Sequence, residues 1–123
     1  MTIQVARLKK LANYLFNLKL KENTFFDMYD FGYKDECGTK LCMCGWATKI
    51  PSFKKLGLKL YNTSNNRLNL HFKKDGGFKA VSTFFGISID DAACLFGRQN
   101  NGITSPREGA VFIMNWLENE RLL

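Results

Sequence analysis

Cys37-Gly38-Thr39-Lys40-Leu41-Cys42-Met43-Cys44-Gly45-Trp46-Ala47 packs three of the chain's four cysteines into eight residues, and its folding decides how much helix the protein holds. Threonine is a helix-capping residue type, and Pro51 downstream is a residue that cannot continue a helix. The stretch therefore predicts a helix over 39–49. Upstream, Leu8, Leu11, Ala12, Leu15 and Leu18 recur at three- and four-residue steps, which predicts an amphipathic helix over 3–20. Residues 23–36 between them are aromatic and acidic with Gly32 as a breaker, the composition of an ordered loop that plugs a core.

Downstream the period changes to two. Leu58 and Leu60 alternate with Lys59 and Tyr61; after a turn-rich run from Asn62 to Asn66, Leu68, Leu70 and Phe72 alternate with Asn69, His71 and Lys73. This predicts a hairpin over 57–74, broken by Asp75-Gly76-Gly77. C-terminal helices fill 78–120. Gly86 stops the first, Ser88 caps the second with Asp90 and Asp91 in its opening turn, and Ser105-Pro106 starts the last. That last helix has a broad apolar face, including Ala110, Val111, Ile113 and Met114. The expected fold class is α+β: a mainly helical single domain over 1–123, with about four to five helices and one small antiparallel β-hairpin.

At 123 residues, 46% hydrophobic and with eleven phenylalanines, the chain has the composition of one folded domain with a modest core. No apolar run approaches the roughly 20 residues that span a bilayer. The first ten residues interleave polar side chains and lack the apolar block of a secretory leader. A cytoplasmic location without a membrane partner is expected, with cysteines reduced or bound to metal.

The formal charge of +7 is localised. From Lys49 to Lys79 there are eight basic residues against one acid, Asp75, while the rest of the chain carries ten of each sign. The excess therefore lies in one 31-residue segment, and local potential of that kind steers association. Lys54, Lys55, Lys59, Arg67, Lys73 and Lys74, interleaved with Tyr61, His71 and Phe72, are the candidate partner-binding residues. They could grip a phosphate backbone and stack bases, dock an acidic protein groove, or merely protect a strand edge. So concentrated a charge favours a partner over a protective edge.

The cysteines allow two chemistries. Cys37, Cys42, Cys44 and Cys94 could form a four-thiolate structural zinc site, although gaps of four and one residues depart from the usual close-pair spacing. The competing reading is no cofactor, the thiols packing as small apolar groups. Alternatively Cys37 or Cys42, at a helix start, could be a nucleophile served by His71, the only histidine. No orienting Asp or Asn is evident for that histidine, and a cysteine hydrolase is the least favoured reading. Residues 78–96 imitate a helix-turn-helix, but Asp90 and Asp91 stand where DNA phosphates would lie, and no Arg, Lys, Gln or Asn occurs from Gly86 to Gly97. Base reading through that element is rejected.

Three segments together resemble a family of small, mostly unannotated proteins from tailed bacteriophages and their bacterial hosts. The cysteine stretch fits C-G-T-x-x-C-x-x-G-[W/H]-A. Residues Phe85 to Phe96 fit an F-G-I-S-x-x-x-A-x-x-L-F segment, and Thr104 to Ile113 follow a T-P-x-x-[V/A]-A-x-x-[I/L] ending with Ser105 inserted and Gly109 at the [V/A] position. Cys44 and Cys94 fall outside the family's positions. The resemblance implies a phage-type accessory protein acting in the host cytoplasm, and assigns no reaction. The expectation is an interaction protein, not an enzyme, that modulates a host protein or nucleoprotein complex. Its most concrete form is an anti-defence, anti-CRISPR-like inhibitor acting through the basic surface; the alternative is a non-specific nucleic-acid-binding module.

Overall fold

The computed structural model describes residues 2–36, 38–63 and 65–122. Helix α1 (Val5–Asn17) buries Leu8, Leu11, Ala12 and Leu15. Three short strands follow, β1 (Thr24–Phe26), β2 (Gly32–Asp35) and β3 (Gly38–Leu41), then α2 (Met43–Ala47) and α3 (Pro51–Leu56). Strands β4 (Lys59–Asn62), β5 (Arg67–Phe72) and β6 (Asp75–Gly76) precede α4 (Gly77–Phe85), α5 (Ile89–Phe96), a 3-10 turn (Arg98–Asn100) and α6 (Pro106–Asn119).

The strands form one six-stranded mixed sheet in the order β1-β3-β2-β5-β4, with β6 pairing the far end of β5. β1 runs parallel to β3, and the other pairings are antiparallel. This overturns the expected mainly helical domain with one small hairpin. The described residues form six α-helices, and the hairpin is one side of a larger mixed sheet.

The error lies in the cysteine stretch and the segment before it. Gly38–Leu41 is a central strand, hydrogen-bonded to β1 on one side and β2 on the other. Thr39 therefore contributes to a ladder and caps nothing, and the helix begins only after the extended Cys42 (φ −80°, ψ −177°). The expected helix over 39–49 shrinks to five residues. The expected loop over 23–36 contributes two strands, β1 and β2, because their partners β3 and β5 lie elsewhere in the chain. Gly45 in α2 is where the helix meets β2 and β3: a methyl group there would collide with the Phe31 carbonyl and come within 2.9 Å of Leu41 Cβ.

Apolar side chains of one sheet face (Phe26, Leu41, Leu70, Phe72) enter the core beneath the helices. Phe84 on α4 is the hub. Its ring lies 4.8 Å from Phe53 on α3, 5.0 Å from Phe72 on β5 and 5.0 Å from Phe85, all edge-on. Such contacts add about 0.5–1.5 kcal/mol each beyond area burial, which accounts for the phenylalanine content. Gly86 ends α4 in the left-handed region, and Ser88 and Ser105 cap α5 and α6 by accepting from the amides of Asp91 and Glu108. Among the described residues no single helix is long and apolar enough to cross a membrane.

Candidate functional site

Strand alternation sorts the sheet's side chains into two sets. Leu60 opposes Leu70, and Phe26, Leu41, Gly32 and Leu68 follow one another across the strands; these face the helices. The other set faces outward. Lys59 opposes His71, Tyr61 opposes Asn69, Arg67 opposes Tyr33, Tyr33 opposes Lys40, and Lys40 opposes Phe25. The outward face thus carries a row of aromatic, basic and amide side chains across five strands, with the acidic Asp35 on the Tyr33 side of it.

On the β4–β5 side of that face the groups hold one another in place. The Tyr61 and His71 rings meet edge-on at 5.3 Å, and Asn69 Nδ2 donates to the Tyr61 hydroxyl at 3.2 Å. Asn69 Oδ1 accepts from the Leu70 amide at 2.9 Å, so both ends of its amide are occupied. Tyr61 nonetheless keeps 41% of its surface exposed, at the edge of the sheet.

Lys59 opposes His71 in this cluster, and the other basic residues lie on neighbouring elements. Lys73 and Lys74 form the two-residue turn between β5 and β6, with Lys73 in the left-handed region (φ 55°) and its Nζ 5.3 Å from the Phe72 ring. Lys54 and Lys55 lie in the last turn of α3 rather than on the hairpin. Lys49, Lys54 and Lys59 line one hollow of about 360 Å³ beside β4. Asp75, the segment's only acid, is engaged by Lys79 at 3.7 Å and by the Thr83 hydroxyl at 2.9 Å. Among the described residues, Lys54, Lys55, Lys59, Lys73 and Lys74 have no ion-pair partner.

Arg67 differs: its guanidinium pairs with Asp30 at 3.8 Å. Phe72 also differs from its expected outward role, since alternation turns it into the core, where it is 4% exposed. The outward Phe25, Tyr33 and Lys40 lie in segments whose sequence predicts loop and helix, not strand. Their strands have three or four residues each, too short for alternation to mark them in the sequence.

The cysteines occupy separate environments. Cys42 and Cys44 are buried in the core, Cys94 is exposed on α5, and Cys37 lies outside the described residues. Burial pushes both buried thiols up. In Cys42 the hydrogen bond from Cys44 and the backbone amides around α2's start outweigh burial and leave its pKa below the ordinary value. Cys44, buried and donating to Cys42, is held well above it. Among the described residues, no three His, Cys, Asp or Glu side chains gather as a metal site would require. His71 points outward beside Tyr61, whereas Cys42 belongs to the core on the sheet's other face, so the two form no nucleophile–base pair. Helices α4 and α5 meet at 103°, as in a helix-turn-helix, yet α5 opens on Ser88 to Asp91 and its buried residues serve the core.

No family model matches the chain, and neither a curated protein nor a solved structure matches it.

Proposed function

We propose that the protein is a binding module for single-stranded nucleic acid, held across the β4–β5 side of the open sheet face. The observation that carries this reading is the register that sets Tyr61 and His71 among Lys59, Lys73 and Lys74, none of these lysines ion-paired among the described residues. Unpaired bases stack on exposed rings at about 1–3 kcal/mol each, while lysines follow the phosphates. Each end of the Asn69 amide makes one hydrogen bond within the protein, which fixes it beside the two rings; binding through stacked rings and phosphate contacts carries no sequence preference.

A protein groove is the competing partner, and the side chains argue against it. Lysine is depleted from the cores of protein interfaces, where a desolvated ammonium is costly, but suits a solvated phosphate backbone. The phage resemblance would place the binding in a host cell, where covering a strand held by a host nucleoprotein would be inhibitory.

The test is fluorescence anisotropy with a labelled oligonucleotide of about 12 nucleotides, single-stranded and duplex. Single-strand binding is expected to prevail, with log K falling against log salt at a slope of about −3 for four phosphate contacts. Absence of binding at low salt, together with capture of an acidic host protein, would establish the protein-partner reading instead.

A further inference from the structure

Helices α1 and α6 pack along each other, and the guanidinium of Arg107 lies 4.4 Å over the Phe16 ring. That contact places the start of α6 at the end of α1, so the pair is antiparallel. Their core sides are filled by Leu8, Leu11 and Leu15 against Ile113 and Leu117. On the outward side, between the same two helices, runs a hollow of about 860 Å³. Alanines 6, 12 and 110 line it, alongside Val5, Val111 and Met114. Phe16 and Val111 leave 45% and 50% of their surface in solvent there.

The charged groups around this apolar trough are of one sign, with the neutral Asn13 and Asn115 beside them. Lys9 and Lys10 line it, Arg107 stands at the Phe16 end, and no carboxylate is among the lining residues. None of these three cations has an ion-pair partner among the described residues.

We propose that this groove is a docking site for an amphipathic helix of a partner protein, apolar on one face and acidic along its flanks. The trough follows α1 from Val5 to Phe16, a rise of about 16 Å, which matches a partner helix of about three turns with anchors at i, i+3, i+4 and i+7. Small residues on its floor let a third helix approach closely. Charge selects the occupant. A second copy of this chain would bring Lys9 and Lys10 against an equally basic patch, since a two-fold interface pairs a surface with itself. Acidic flanks would instead neutralise all three cations. The site lies on the helical side and is independent of the sheet face, so the two could be occupied together.

The probe is a synthetic peptide of about 16 residues with leucines at those anchor positions and glutamates flanking them; its sibling carries lysines in place of the glutamates. Titrated into the full chain, the glutamate peptide is expected to bind at least about tenfold more tightly than the lysine peptide. Val111→Asp, at a half-exposed site, should weaken that binding by a similar factor without shifting the thermal melt. The double variant Lys9→Glu/Lys10→Glu should invert the preference while leaving oligonucleotide binding unchanged. Equal binding of both peptides, binding of neither, or a preference that the double variant does not move would overturn the proposal. So would a Val111-dependent dimer in sedimentation equilibrium, which would assign the groove to a second copy. Val111-dependent pelleting with phosphatidylserine–phosphatidylcholine vesicles would overturn it too, assigning the groove to a membrane surface.

Discussion

Asp30 draws Arg67 to 3.8 Å and Arg98 to 3.3 Å, and Arg98 also donates to the Tyr29 carbonyl and lies 4.0 Å over the Tyr29 ring. On that side of the sheet, cations and aromatics are used to fasten the β1–β2 loop to the turn after α5. Around Tyr61, a few residues along the same face, comparable side chains meet no carboxylate among the described residues: Lys59, Lys73 and Lys74 are exposed, and Asp75 is taken by Lys79 and Thr83. The contrast shows that net charge alone does not mark a binding surface. What marks it is charge that the fold leaves unneutralised beside exposed rings.

Both sides rest on one core, and the largest expected effect tests that premise. Trp46 is 7% exposed in α2, next to Gly45 where the helix meets β2 and β3. Trp46→Ala should cost about 3–5 kcal/mol in denaturant unfolding, in one transition that removes oligonucleotide binding along with the fold. A near-native melt would separate the cysteine helix from the sheet and break the comparison at its base.

Tyr61→Ala comes next. It should weaken single-strand binding by about 1–3 kcal/mol per stacked base, with stability lowered by about 1 kcal/mol, because the residue is 41% exposed and gives up its contacts with His71 and Asn69. Unchanged binding by anisotropy would reduce the face to simple charge attraction.

Asp30→Asn separates the two sides most cleanly. It removes the partner of two arginines and should cost about 1 kcal/mol of stability, since the pairs are partly exposed. It should also free Arg67 for phosphate, deepening the salt slope of oligonucleotide binding by about 0.7. An unchanged slope would mean that Arg67 already contacts the ligand in the wild-type protein.

The smallest effect concerns the thiols. Alkylation followed by peptide mass spectrometry should label Cys94 promptly in the native protein, and Cys42 and Cys44 only on unfolding. Rapid labelling of Cys42 or Cys44 would contradict the packed α2 on which the sheet rests.

The sequence carried much of this fold in readable form, and the pattern of its failures is physical. Helices α1, α4, α5 and α6 announce themselves through leucine and phenylalanine spacing and the caps at Ser88 and Ser105, all local signals. The β4–β5 hairpin is equally local, two alternating runs around one turn. Strands β1 to β3 are not. Each has three or four residues, too few for alternation to stand out, and their ladders depend on pairing Thr24 with Thr39 and Tyr33 with Arg67. Thr39 is as suitable for a strand as for a cap, and only those distant partners decide between them. The site divides in the same way. The lysines of residues 49–79 were legible as a charge cluster, whereas Tyr33, Lys40 and the capture of Arg67 by Asp30 follow from the sheet and could not be read without it.

The central claim is that the unneutralised lysines beside Tyr61 form the binding surface, and one titration tests it directly. Lys54, Lys55, Lys73 and Lys74, each exposed, are changed to glutamate together, and oligonucleotide binding is followed across a salt series. A matched variant with Lys9, Lys10 and Lys19 reversed serves as the control. The first variant should melt like the parent yet lose at least about a hundredfold in low-salt affinity, while the control binds normally. Equal behaviour of the two variants, or normal binding by the first, would contradict it and leave the charge cluster as a solvated edge.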